Sequence, residues 1–154
     1  MQLALPVSRV YIVENVQTGL AFTNLPDSIV LMGLGYNVDL LAYSPWLESA
    51  KCFYWGDIDT HGLAILNRAR SYLPNLKSIL MDEAALMQYK NLWVTKKEQH
   101  SASELTLLSE QEQLIYQNLK QQIWGKNVRL EQERISWEYA WRIITSIHKL
   151  APFK

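Results

Sequence analysis

Residues 51–62 read Lys51-Cys-Phe-Tyr-Trp-Gly-Asp57-Ile-Asp59-Thr-His61-Gly62. Lys51 to Asp57 suits a buried β-strand that ends in an acid. Asp57 and Asp59 are two apart, so in an extended chain both side chains leave the same face. Gly62 opens the next helix, where Leu66, Ala69 and Leu73 share a face before Pro74. Its missing side chain permits close backbone approach, and a helix N-terminus favours a phosphate. Strand, acid pair and helix together are the unit of a parallel α/β sheet, whose ligands gather at the carboxyl ends of the strands.

Working outward, the same pattern recurs. Arg9 to Glu14 (Arg-Val-Tyr-Ile-Val-Glu) is β-branched and aromatic and also ends in an acid. Ser28 to Met32 is a second buried run, and Leu76 to Met81, followed by Asp82, is another. Val38, Leu41 and Ala42 suit a short helix after Gly35. These alternations predict an α/β fold with a mostly parallel, four-stranded central sheet flanked by helices. Asp82 reads as the N-cap of a helix over Glu83 to Met87.

Beyond Asp82 the character changes. Residues 94–106 are polar and read as a surface loop. Ser109 and Glu112 have capping-box spacing, with Ile115, Leu119 and Ile123 on one helix face and Gly125 at its end. Arg129 to Ile135 reads as a charged, extended link. A last helix carries Trp137, Ala140, Ile143, Ile144, Ile147 and Leu150 on one face, with Trp141 at odds with it. The expected organisation is a single domain over 1–154, with a core over about 8–90 and a helical C-terminal extension over about 107–150.

A hydrophobic fraction of 49% against 19% charged residues describes a folded globular chain and excludes a disordered one. Met-Gln-Leu-Ala-Leu-Pro at the start lacks a basic region and does not read as a secretion signal. No apolar run could span a bilayer. The single cysteine, Cys52, lies on a strand and reads as a buried reduced thiol. A cytoplasmic location is expected. Fifteen basic residues balance fifteen acidic ones, but residues 1–83 hold five against eight and residues 84–154 ten against seven. An acidic first part fits a carboxylate metal site, and a mildly basic second part fits a phosphate backbone. Neutrality overall implies that most DNA affinity comes from other domains or partners.

Glu14, Asp57 and Asp59 form the candidate metal site. Mg²⁺ demands oxygen ligands and commonly takes one or two protein carboxylates, leaving water and phosphate to complete its shell; Mn²⁺ is a possible substitute. An isolated Asp-x-Asp more often marks a turn or helix cap. The specific feature is the ordered set: strand–Glu–Asn, then Gly-Tyr, then strand–Gly-Asp-Ile-Asp-Thr-His-Gly.

That ordered set carries a resemblance. Val10-Tyr-Ile-Val-Glu14-Asn15, Gly33-Leu-Gly35-Tyr36 and Tyr54-Trp-Gly-Asp57-Ile-Asp59-Thr-His61-Gly62 resemble the motifs of the Toprim fold, which is shared by topoisomerases, primases and old-family nucleases. Together with Leu80-Met-Asp-Glu-Ala85 and Arg129-Leu-Glu-Gln-Glu-Arg134, they resemble more closely the C-terminal domain of the JetD family, the nuclease subunit of Wadjet plasmid-defence systems. The related A subunits of type IIB topoisomerases typically follow Asp-x-Asp with Pro-x-Gly. Thr60-His61-Gly62 stands there instead, which favours the JetD branch. The resemblance implies a Rossmannoid Toprim fold, Mg²⁺ on Asp57 and Asp59, and Glu14 as a further ligand or general acid/base. It also implies double-stranded DNA as substrate, phosphodiester hydrolysis, a homodimer and a condensin-like SMC complex as partner. A winged-helix region would lie upstream of Arg9, so the chain is expected to be one domain of a longer protein or a truncated gene product. Alternatives are a non-catalytic dimerisation or DNA-docking module, or a topoisomerase-like transesterase served by an upstream tyrosine domain.

Secondary candidates are His61, placed to meet a phosphate or leaving group, and Glu133, which with Glu131 would line the rim of the site if its segment is extended. A salt-bridge ladder of Glu131 and Glu133 with Arg129 and Arg134 is the plainer reading of that segment. Tyr36, beside Gly35, is expected to pack or to support a backbone turn. Lys96, Lys97 and Arg142 are possible phosphate contacts.

Overall fold

The computed structural model describes residues 7–23 and 25–150, with side chains as far as His148. The N-terminal Met-Gln-Leu-Ala-Leu-Pro reading and the Leu150 side chain lie outside the described residues. The chain is α/β. Four parallel strands, β1 (Arg9–Val13), β2 (Ser28–Met32), β3 (Lys51–Trp55) and β4 (Lys77–Ser78), lie in the order β2-β1-β3-β4. From β1 the chain moves outward to β2, then returns to place β3 on the other side of β1. The sheet order therefore reverses between β1 and β3, and their carboxyl ends form the switch point at which such sheets take ligands.

Helices follow the strands where local chemistry starts them. Asn15 Oδ1 accepts from the Thr18 amide to cap α1 (Val16–Leu20), and Asp59 Oδ1 accepts from Gly62 to cap α2 (Thr60–Tyr72). Asp82 caps α3 (Glu83–Gln88) through Ala85, as expected of it. Ser109 and Glu112 close a reciprocal capping box on α4 (Glu110–Lys120), and α5 spans Trp137–Leu150. Each cap satisfies amides that the first helical turn leaves without partners. The short helix expected after Gly35 is a 3-10 segment over Gly35–Tyr43 that buries Val38 and Leu41.

The core is built on the two central strands. Tyr11 and Phe53, register partners on β1 and β3, stack with ring centroids 5.3 Å apart. Phe22 continues this aromatic layer to Trp137 and Trp141, which stack on each other at 5.3 Å. Trp141 thus belongs to the packed side of α5, because one ring can lie flat on another a turn away. Cys52 is buried, and burial pushes its thiol up to about 11.

Four expectations are corrected. The Leu76–Met81 run pairs only over Lys77–Ser78, since Ile79 donates to the Tyr54 carbonyl and Leu80 then turns at φ 59°. Residues 94–106 are not all loop: β5 (Val94–Thr95) pairs antiparallel with β6 (Val128–Arg129). Helix α4 ends at Lys120, short of Gly125; Gln122 takes φ 57° and Ile123 is 61% exposed. The segment after β6 does not stay extended, because Gln132–Arg134 forms a 3-10 turn. Among the described residues no helix is long and apolar enough to cross a membrane.

Candidate metal centre

The candidate centre lies at the point where the strand order reverses. Glu14 directly follows β1, and Asp57 follows β3 after a single glycine. The Asp57 amide donates to Glu14 Oε2 at 3.2 Å, joining the two strand ends. Gly62 then begins α2 hard against this turn. A Cβ at Gly62 would fall 2.0 Å from the Asp57 carbonyl oxygen, so only glycine fits there.

An isolated antiparallel bridge fixes the acid pair. Ile58 donates to the Leu130 carbonyl at 2.9 Å and Leu130 returns a bond at 3.1 Å. Both side chains are fully buried, so the alternation of an extended chain turns Asp57 and Asp59 the other way. Opposite them stands Arg129, whose Nη2 donates to Asp57 Oδ2 at 2.6 Å and whose Nε lies 3.5 Å from Asp59 Oδ2. Lys96 Nζ, one residue beyond β5, donates to Asp59 Oδ2 at 3.3 Å. The second half of the chain thus supplies the cations for the acids of the first.

The other oxygens of the pair are committed to backbone. Asp57 Oδ1 accepts from the Gln132 amide at 2.7 Å, and Asp59 Oδ1 from the Gly62 amide at 2.6 Å. Asp59 is therefore both helix cap and site residue. Glu14 sits in partial burial, which raises its carboxyl; the charges of Asp57 and Asp59 add to this and bring it to about 7. The hydrogen bond from the Asp57 amide and the charge of Arg129 oppose the rise.

His61 is held by a contact at each ring nitrogen. It lies in the first turn of α2, with Nε2 3.2 Å from the Glu98 carbonyl oxygen and Nδ1 2.5 Å from Tyr36 Oη. A carbonyl oxygen can only accept, so Nε2 carries a proton, and in the neutral ring Nδ1 accepts from the Tyr36 hydroxyl. Tyr36 was expected only to pack or support a turn. Its hydroxyl instead bonds His61 while the residue stays 47% exposed.

Glu133 and Glu131 do not line up as alternating residues of a strand, because the 3-10 turn breaks that period. Glu133 is exposed; partial desolvation raises its carboxyl first, with the charges of Asp57 and Glu131 adding to the rise. The residue that enters the site is Gln132, buried to 1% exposure. Its Oε1 accepts from the Asn15 amide at 2.8 Å and its Nε2 donates to the Trp55 carbonyl at 2.6 Å. Of the expected salt-bridge ladder only Arg134–Glu131 forms, at 4.0 Å; Arg129 goes to the acid pair. Sequence reasoning missed Gln132 and the inward turn of Arg129, whose one signal was their place in the Arg-Leu-Glu-Gln-Glu-Arg stretch.

Carboxylate oxygens are the donors that a hard divalent cation takes. One observation at the centre suits a small polar ligand. Tyr54 Oη is buried without a hydrogen-bond partner. Gly56 lets this hydroxyl pack hard against the backbone: a Cβ there would lie 2.5 Å from Tyr54 Oη and 3.0 Å from Glu14 Oε2, so only glycine fits. Against this, among the described residues no three His, Cys, Asp or Glu side chains are grouped closely enough to hold a metal ion as they stand. A cation at Asp57 and Asp59 would have to displace Arg129 and Lys96.

The fold and this acid set define the class: a Rossmann-like parallel α/β protein with acidic residues at the point where such sheets take ligands. A family model described as Wadjet protein JetD, C-terminal, matches residues 1–144. The chain belongs to that family. No curated protein matches it.

Proposed function

We propose that the chain is the Toprim-type nuclease domain of a Wadjet plasmid-defence system, cutting double-stranded DNA by Mg²⁺-dependent phosphodiester hydrolysis. The observation that carries this reading is the meeting of Glu14 with the Asp57/Asp59 pair at the switch point between β1 and β3. Asp57 and Asp59 would hold the cation and Glu14 would complete the set. When bound, Mg²⁺ lowers the pKa of a water nucleophile and stabilises charge on the departing oxygen.

The chain's own groups have defined parts. Glu14, with its carboxyl near 7, can take or give a proton at neutral pH. Arg129 and Lys96 bring positive charge to the mouth of the site, and the N-terminus of α2 adds its dipole. Tyr36, backed by His61, presents a hydroxyl at the same opening. The partners proposed with this reading are an SMC-like complex that presents the DNA and a second copy of the protein.

The ion pairs of Arg129 with Asp57 and of Lys96 with Asp59 favour a second reading, a non-catalytic DNA-docking or dimerisation module whose acids are permanently neutralised. Cleavage of supercoiled plasmid by the protein together with its SMC partners, in Mg²⁺ or Mn²⁺, separates the two. The nuclease reading expects linear or nicked product, lost in Asp57→Asn and Asp59→Asn. Equal cutting by both variants would remove the acid pair from the reaction, and none by wild type would leave the docking reading standing.

A further inference from the structure

We propose that Arg129 is a displaceable counter-cation that guards the acid pair and then binds the substrate phosphate. The proposal rests on the reading of Asp57 and Asp59 as a cation site. Each of these aspartates has one oxygen committed to backbone, Asp57 Oδ1 to Gln132 and Asp59 Oδ1 to Gly62. The remaining oxygen of each, Oδ2, faces side-chain cations: Arg129 for Asp57, Arg129 and Lys96 for Asp59. The exchangeable oxygens are thus the two that Arg129 covers.

Burial sets the direction of exchange. The Asp57 and Asp59 side chains are 8% and 3% exposed, whereas that of Arg129 is 30% exposed. The carboxylates stay in the floor of the site, and the guanidinium lies over them on the solvent side. Its backbone cannot follow it outward. Arg129 is paired with Val94 on one side, and its neighbour Leu130 is bonded to Ile58 on the other. Release therefore needs only rotation of a long side chain, and the freed guanidinium remains tethered at the mouth. There it can meet a phosphate with two parallel hydrogen bonds, a geometry Lys cannot offer. Three acids face two bases before the exchange, and a divalent cation turns that local excess positive. Metal loading and phosphate binding are coupled in this way through one side chain.

Calorimetric titration of Mn²⁺ into the metal-free protein, without DNA, tests the exchange apart from activity. Arg129→Gln is expected to bind Mn²⁺ about tenfold more tightly than wild type, the equivalent of one charge-assisted hydrogen bond no longer broken. Its metal-free melting temperature should fall, and Mn²⁺ should strengthen its binding to a short duplex less than it does for wild type. Unchanged or weaker Mn²⁺ affinity in Arg129→Gln, with wild type binding normally, overturns the proposal and leaves the cation site standing. No Mn²⁺ binding by either protein overturns the site reading itself. Should Arg129→Gln not fold, Arg129→Lys keeps the charge but not the fork that reaches both Oδ2 atoms; tighter Mn²⁺ binding than wild type supports the proposal and unchanged binding overturns it.

Discussion

Gln132 Nε2 donates to the carbonyl oxygen of Trp55 at 2.6 Å, tying the end of the central strand to a turn 77 positions later. The same amide accepts from Asn15, just past β1, while the Gln132 backbone amide holds Asp57. One buried side chain thus fastens both central strand ends to the 3-10 turn beside the acid pair. Truncation would leave the Asn15 amide without this partner, while the Trp55 carbonyl keeps its bond from the Glu14 amide at 3.2 Å. An unmet buried group costs about 1–3 kcal/mol, so Gln132→Ala should destabilise the metal-free chain by about that much in urea unfolding. A loss under about 0.5 kcal/mol, the size of an ordinary surface substitution, would show that the clamp is not structural.

Glu14 predicts a pH dependence. Its carboxyl is raised in the folded chain from an ordinary 4.5 to about 7. A folded value above the unfolded one contributes stability that is fully present below pH 4.5 and is lost as pH rises through about 7. In chelator at pH 8, Glu14→Gln should melt higher than wild type, because it removes an ionised group from beside Asp57 and Asp59. At pH 5 the difference should shrink, since wild-type Glu14 is then protonated. Mg²⁺ should raise the wild-type melting temperature at pH 8 and have less effect on the variant. Parallel pH curves for the two proteins would refute the assignment.

The opposite sign applies away from the site. Glu112 of α4 accepts from both Arg70 terminal nitrogens, from Ser78 Oγ at 2.5 Å and from the Ser109 amide at 2.8 Å. Burial pushes its carboxyl up, but these bonds together outweigh it and the net shift is downward. Stability from Glu112 is therefore present above the ordinary 4.5 and is lost as pH falls through its lower folded value. Glu112→Gln should cost about 2 kcal/mol at pH 7, with the gap to wild type closing in acid. A gap that widens below pH 4 in denaturant unfolding would contradict this.

These residues mark how far the sequence could be read. Local signals sufficed for β1, β2, β3, α2 and the capping box at Ser109, because hydrophobic period and cap chemistry lie within a few positions of each other. They also pointed to Glu14, Asp57 and Asp59 as acids at strand ends. The bonds that organise those acids were hidden, since Arg129, Gln132 and Lys96 reach them across long chain separations and over a two-residue ribbon too short to show a period. The Arg129–Ile135 stretch looked extended on its charges, and tertiary pairing with Ile58 decided where extension stopped. Ile123 kept the helical period of α4, yet Gln122 had already left the helix at φ 57°.

Tyr36 and His61 supply the last prediction, which separates hydrolysis from a tyrosine mechanism. A tyrosine nucleophile needs its hydroxyl activated toward the phenolate. In the neutral ring His61 Nδ1 accepts from Tyr36, a bond that resembles such activation. Its environment opposes that: desolvation raises its hydroxyl first, and the negative charges of Asp59 and Glu14 raise it further. A phenolate beside those acids is disfavoured, so Tyr36 acts as a neutral hydroxyl that donates a hydrogen bond. With DNA and Mn²⁺, and with the partner complex present, no covalent protein–DNA adduct should form. Tyr36→Phe should keep the fold, since the ring is half exposed, and lower the cutting rate by less than about a hundredfold, below what a proton donor supplies, because its one proton goes to His61. His61→Ala should lower it by at least as much, because Tyr36 then loses the group that orients its hydroxyl. A labelled DNA–protein band that survives denaturation in wild type and vanishes in Tyr36→Phe would make this tyrosine the nucleophile and replace hydrolysis with transesterification.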